Sequence, residues 1–181
     1  MVPPSRQQDF DAVVLPHLDA AFNLARWLMR NAHDAEDVVQ EAIVRALTYY
    51  RGFRGENPRA WLLQIVRNTA YGVLNANRGP IGANKVGADQ DGDDELAGLP
   101  DHGDGPDVQL MKKQDRGQVH RLLGGLPVDL RETLVLREFE DLSYKEIARI
   151  TETPIGTVMS RLWRARRLLA EGLEREGHIH D

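Results

Sequence analysis

The sequence predicts an all-α protein: two small helical domains joined by a flexible acidic linker. Three observations carry this prediction. Apolar residues recur at three- and four-residue steps before position 78 and again after 112, the spacing of helix faces. No segment alternates convincingly with period two, as a half-buried strand would. From Gly79 to Asp107 the chain is rich in Gly, Asp and Pro and poor in large apolar residues. Such a stretch buries too little surface to offset its ordering entropy. The expected limits are 8–78 for the first domain, 79–111 for the linker and 112–174 for the second domain.

In the first domain, Phe10, Val13, Val14, Leu18, Ala21, Phe22, Ala25 and Leu28 form one helical stripe. Ala35, Val38, Val39, Ala42, Ile43, Ala46, Leu47 and Tyr50 form a second. A third helix starts at Asn57-Pro58, an N-cap followed by proline at the first helical position. It continues through Trp61, Leu62, Ile65, Val66, Val73 and Leu74. Trp61 lies on that apolar stripe, which favours core packing.

Four further helices are expected near 112–124, 128–138, 144–150 and 154–173. Ser143-Tyr144-Lys145-Glu146 has the pattern of a capping box. Thr153-Pro154 repeats the cap-plus-proline start. A short helix, a three-residue corner and a longer helix make a helix-turn-helix.

The net charge of −5 is unusual for a protein that meets nucleic acid, but the charge is unevenly placed. Between Gly79 and Leu110 eight acidic residues face Lys85 alone, a balance of −7, which leaves +2 for the rest. Local sign governs such contacts more than the total. Asp89, Asp91 and Asp93 have the spacing of an EF-hand. Asp94 and Pro100 then stand where that loop needs Gly and Glu, so no calcium site is expected. His178 and His180 sit at a terminus expected to fray and make a poor metal pair. The absence of cysteine removes disulfides, thiolate zinc sites and thiol redox sensing. No phosphate-binding glycine loop or nucleophile elbow is present, so neither an enzyme nor a cofactor is expected. No apolar run approaches the ~20 residues of a membrane helix. Met1 to Asp11 lacks a secretory core, and a cytoplasmic location is expected.

The last long helix carries the strongest functional pattern. Val158, Leu162, Ala165 and Leu169 face a core, while Thr157, Ser160, Arg161, Arg164 and Arg167 fall on other faces. The second helix of a helix-turn-helix enters the major groove, where arginine reads guanine or holds phosphate. An ordinary solvated basic face is the plain alternative. In the first domain Asp34, Asp37 and Glu41 share one helix face by their three- and four-residue steps. Three like charges together make sense opposite a basic partner, though a solvated acidic face has the same spacing.

Two strings then reach a known family. Leu126-Pro127, Arg131-Glu132, Leu142-Ser143-Tyr144-Lys145-Glu146-Ile147-Ala148 and Pro154-Ile155-Gly156-Thr157-Val158-Met159-Ser160-Arg161-Leu162 together resemble region 4 of the sigma-70 family. Asp34-Ala35-Glu36-Asp37-Val38-Val39-Gln40-Glu41, followed by Arg45-Ala46, resembles its region 2.2. Pro58 to Arg78 resembles regions 2.3 and 2.4. With no counterpart of region 1.1 or region 3, the chain is similar to the extracytoplasmic-function (ECF) group.

The resemblance implies a transcription initiation factor. Its partners would be core RNA polymerase, through the β′ clamp helices and the β flap, promoter DNA, and an anti-sigma protein. It implies that Thr157, Met159, Ser160, Arg161, Trp163, Arg164 and Arg167 face the −35 element. Within that set, Arg164 and Ser160 are expected to read bases, and Arg161 and Arg167 mainly to hold phosphates. Phe53, Arg54, Asn57, Arg59, Arg67, Asn68, Asn75 and Arg78 would handle the −10 element, the loop Phe53–Asn57 receiving a flipped-out base. Asp34, Asp37, Gln40 and Glu41 would dock on polymerase. Two departures are visible. Glu152 stands at a turn where a left-handed backbone costs it about 1 kcal/mol, and Met159 stands where a basic residue is frequent. A sigma-like decoy that captures an anti-sigma protein without touching DNA is the rival, and retention of Arg161 and Arg164 speaks against it.

Overall fold

The computed structural model describes residues 6–78 and 116–179. The expected linker, 79–111, its aspartates and His180 lie outside the described residues. Two compact units result, each helical throughout and without a strand among the described residues.

The first unit holds α1 (Arg6–Val14), α2 (Leu18–Met29), α3 (Ala32–Tyr49) and α4 (Pro58–Arg78). The sequence stripe from Phe10 to Leu28 is not one helix. A single 3-10 turn, Leu15–His17, separates α1 from α2, with Pro16 inside it. Proline lacks the N–H an α-helix interior needs there, so the chain tightens and restarts. Leu24, absent from the expected stripe, is fully buried. Arg30 ends α2 in the left-handed region at φ 60°. Asn31 then starts α3, its Oδ1 accepting from the N–H groups of His33 at 2.8 Å and Asp34 at 3.1 Å. Asn57 starts α4 as expected, its Oδ1 accepting from the Ala60 N–H at 3.1 Å. Helices α2, α3 and α4 pack mutually around Leu24, Leu28, Val38, Leu62, Leu63 and Val66. On α3, Leu47 was expected inside but is 46% exposed.

The second unit holds α5 (Arg116–Gly125), α6 (Val128–Glu138), most of α7 (Tyr144–Thr151) and α8 (Ile155–Ile179). Helix α8 runs six residues past the expected end at 173. That extension lies along α5. Gly172 permits the approach, since a Cβ there would meet Leu122 Cδ2 at 2.7 Å. Arg121 on α5 reaches Glu176 at 3.4 Å.

Charged residues are part of this unit's interior. Arg131 is buried and its Nη1 donates to the carbonyls of Gly124 at 3.1 Å and Leu126 at 3.0 Å. It thereby satisfies carbonyls that the end of α5 leaves without helical partners. Arg137 donates to the Leu142 carbonyl at 2.9 Å and lies over the Tyr144 ring. Arg166 pairs with Glu138 at 2.9 Å, both side chains mostly covered. Burial opposes the Arg166 charge, but the Glu138 carboxylate, helped by Tyr144, outweighs it and holds the pKa above its ordinary value.

Candidate nucleic-acid and polymerase interface

The corner between α7 and α8 follows from local chemistry. Ser143 Oγ accepts from the Glu146 N–H at 3.1 Å, and Glu146 Oε2 accepts from the Ser143 N–H at 2.8 Å, the expected capping box. Helix α7 ends at Glu152, left-handed at φ 55°, ψ 41°. The Thr153 N–H donates back to the Ala148 carbonyl at 3.1 Å. The Pro154 carbonyl accepts from the Val158 N–H at 3.2 Å and opens α8.

Along α8 the seam Val158, Leu162, Ala165 and Leu169 is buried as expected. Trp163 and Arg167 are exposed, while Thr157, Met159 and Arg164 are half-exposed. Arg167 stacks its guanidinium 4.8 Å from the Trp163 ring centroid and approaches Glu171 at 3.6 Å. Two residues depart from the expected exposed face. Arg161 is buried, with its Nε 3.8 Å from Asp129 Oδ2 in the first turn of α6. Ser160 is 2% exposed, and its hydroxyl donates to the Thr157 carbonyl at 3.1 Å.

On α3, Asp34, Asp37, Gln40 and Glu41 are all exposed, opposite the buried Val38 and Ala42. Glu41 pairs with Arg45 at 2.9 Å and Asp37 meets His33 at 3.8 Å. Exposed pairs of this kind are worth well under 1 kcal/mol and yield to a stronger partner.

The loop before α4 is fixed at both ends. The Phe53 N–H donates to the Tyr50 carbonyl at 3.1 Å, and Asn57 is spent partly on capping α4. Gly55 at φ 80° and Asn57 at φ 43° take left-handed conformations that bend the chain between them. The Phe53 ring is tilted 39° to the Trp61 ring, with 4.7 Å between centroids. Trp61 is half-exposed rather than core, and its Phe53 contact explains why it sits on the edge of the stripe. Arg54 is exposed. Partial burial, with the Arg59 guanidinium nearby, holds the His17 imidazole below its ordinary pKa. Further along α4, Arg67 lies 4.0 Å from the Tyr71 ring centroid, and Asn68, Asn75 and Arg78 are exposed on the polar side.

Residues 13–78 match the family described as Sigma-70 region 2, and residues 116–169 match Sigma-70, region 4. Together these matches span most of the chain. The chain belongs to the sigma-70 family. It is 35% identical to the RNA polymerase sigma-H factor of Pseudomonas aeruginosa over 91% of this chain and 86% of that one. It is 38% identical to the ECF RNA polymerase sigma-E factor of Escherichia coli K12 over 74% of this chain and 70% of that one. Among solved structures, it is similar to the sigma factor RpoE of Bartonella quintana in complex with the anti-sigma factor NepR. That likeness has a TM-score of 0.68 and 30% identity, and covers 92% of this chain and 97% of that one.

The chain is therefore an ECF sigma factor, a transcription initiation factor without enzymatic activity that binds core RNA polymerase and directs it to promoters. No described helix is long and apolar enough to cross a membrane. For this sigma factor the geometry sorts the expected −35 residues into two groups. Met159, Trp163, Arg164, Arg167 and Thr157 are accessible. Arg161 and Ser160 are not, because an ion pair across to α6 and an internal hydroxyl bond already use them.

Proposed function

We propose that α8 reads the −35 element chiefly through Arg164, with Met159, Thr157 and Trp163 beside it and Arg167 on the phosphates. The observation that carries this is a contrast among the arginines of α8. Arg161 and Arg166 are committed to Asp129 and Glu138, and Arg167 approaches Glu171. Arg164 is half-exposed and has no ion-pair or hydrogen-bond partner among the described residues. An arginine without an internal partner can give its bidentate fork to a guanine edge. A decoy has no use for such a side chain.

In the same reading the first unit, proposed to extend over 8–78, docks on the β′ clamp helices through Asp34, Asp37, Gln40 and Glu41. The loop Phe53–Asn57 receives an unstacked −10 base. Phe53 offers a stacking surface, Arg54 and Arg59 neutralise phosphate, and Arg67, Asn68, Asn75 and Arg78 line the strand. The second unit, proposed to extend over 112–174, also meets the β flap. An anti-sigma protein holds the free factor, as NepR does in the RpoE complex. The factor acts in the cytoplasm. Run-off transcription with core enzyme and genomic promoter fragments tests this: discrete transcripts that require this chain are expected. Binding to an anti-sigma protein without any transcript would favour the decoy.

A further inference from the structure

A file of aromatic rings runs from the start of the chain to the loop before α4. Phe10 on α1 is 4% exposed and meets Tyr50 edge-to-face, with 5.4 Å between centroids and 81° between planes. Tyr50 stacks on Phe53 at 6.1 Å and 20°. Phe53 leans on Trp61 at 4.7 Å. Helix α1 packs against α4 as well. Its Phe10 lies outside residues 13–78, the span that matches region 2.

The two ends of the loop are held by backbone and cap hydrogen bonds, but those bonds leave the Phe53 ring free to rotate about its side-chain torsions. The aromatic faces that restrain its plane are Tyr50, 20° from parallel, and Trp61, tilted by 39°. Tyr50 can serve as one of those faces only if it is itself held, and its other neighbour in the file is the buried ring of Phe10. Aromatic pairs have preferred edge-to-face and offset geometries, so orientation passes along such a file where aliphatic packing would transmit only volume.

We propose that Phe10 and Tyr50 are positioning residues for −10 recognition: they set the plane of Phe53 against which the unstacked base is held. Neither touches DNA. The inference rests on the base-receiving role given above to the loop Phe53–Asn57. A base stacks well only on a ring presented in one plane, and a ring that must be ordered on binding loses affinity.

The test uses holoenzyme assembled with wild-type or variant chain. The probe is a labelled single-stranded non-template oligonucleotide that spans the −10 region of a promoter mapped by run-off transcription. A second set of probes has one abasic site at each position in turn. Fluorescence anisotropy gives the affinity lost when the captured base is missing. Wild type should lose about tenfold at one position, the scale of one stacked base. Phe53→Ala should abolish that loss. Phe10→Leu and Tyr50→Leu keep apolar volume but remove a ring, and should shrink the loss about three- to tenfold, the span of one aromatic pair. Tyr50→Phe keeps the ring and should retain the wild-type loss. Affinity for core polymerase, measured alongside, should be unchanged in all four. If Phe53→Ala keeps the full abasic loss, the loop does not capture a base and the positioning role falls with it. If Phe53→Ala abolishes the loss while both leucine variants keep it, the loop captures the base and the positioning role alone is wrong.

Discussion

Replacing Arg161 and Arg164 separately by alanine should give opposite phenotypes, although they lie three residues apart on one helix. The Arg161 side chain is 9% accessible and its partner Asp129 29%, with 3.8 Å between charged atoms. An exposed pair is worth about 0.2–1 kcal/mol. Stranding one member of a fully buried pair costs about 3–5 kcal/mol. Partial access to Asp129 places Arg161→Ala between these, at about 2–3 kcal/mol of stability. Native-state hydrogen exchange reports α8 separately from the first unit. Its slowest amides should exchange about 30- to 150-fold faster in this variant, by the factor of ten per 1.4 kcal/mol. A thermal scan should show the second unit melting on the order of 10 °C lower, since each kcal/mol shifts a domain of this size by about 4–8 °C. Arg164→Ala should leave exchange within about 0.5 kcal/mol of wild type, as surface changes do. In holoenzyme it should lose about 1–3 kcal/mol on the cognate −35 sequence and much less on a sequence lacking the contacted base. The reasoning is refuted if Arg161→Ala leaves exchange in α8 unchanged and weakens promoter binding as much as Arg164→Ala does. A uniform loss over all sequences in Arg164→Ala would refute base reading but leave phosphate contact standing.

Asp37→Lys with Glu41→Lys should abolish holoenzyme assembly while helical circular dichroism persists, because the intrahelical pairs forfeited are worth only about 0.2–0.5 kcal/mol each; unchanged affinity for core would sink the docking face. Ser143→Ala should cost the second unit about 1 kcal/mol by removing one arm of the capping box, read as faster exchange in α7. Glu152→Gly should stabilise it by up to about 1 kcal/mol, since glycine takes the left-handed corner without a Cβ penalty; a lower melting temperature would mean that Glu152 supplies a contact worth more than its strain.

The helices were legible where local chemistry marks them. The capping box at Ser143 and the Asn57-Pro58 start each depend on residues within four positions of one another, and both are present. The stripe from Phe10 to Leu28 failed for the same reason. Two helices of matching phase read as one, and only Pro16 signalled the break between them. The extension of α8 past 173 was hidden because Gly172 looks like a helix ending. Its role is instead to let Leu122 approach, a contact made across 50 positions of sequence.

The interface was legible in composition but not in accessibility. A single apolar stripe defines one buried face, and Arg161 stands off the stripe of Val158, Leu162, Ala165 and Leu169. Helix α8, however, packs against both α5 and α6, so the buried arc is wider than one stripe. Residues flanking the stripe are then covered, and a cation can stay there when an anion meets it. Asp129 is that anion, 32 positions away, and periodicity has no means to name it. The signal that was available is charge order on α6. Asp129, Glu132 and Glu138 are spaced along a helix that also carries apolar Leu130, Leu134 and Val135, more acid than a core helix tolerates without partners. Two of these carboxylates take a cation from a neighbouring helix. Structure assigns Arg161 to Asp129 and Arg166 to Glu138. Subtracting the arginines that a core's own acids require leaves Arg164, Arg167 and Arg175 on α8; Arg167 approaches Glu171 and Arg175 bonds the Glu171 carbonyl, which leaves Arg164.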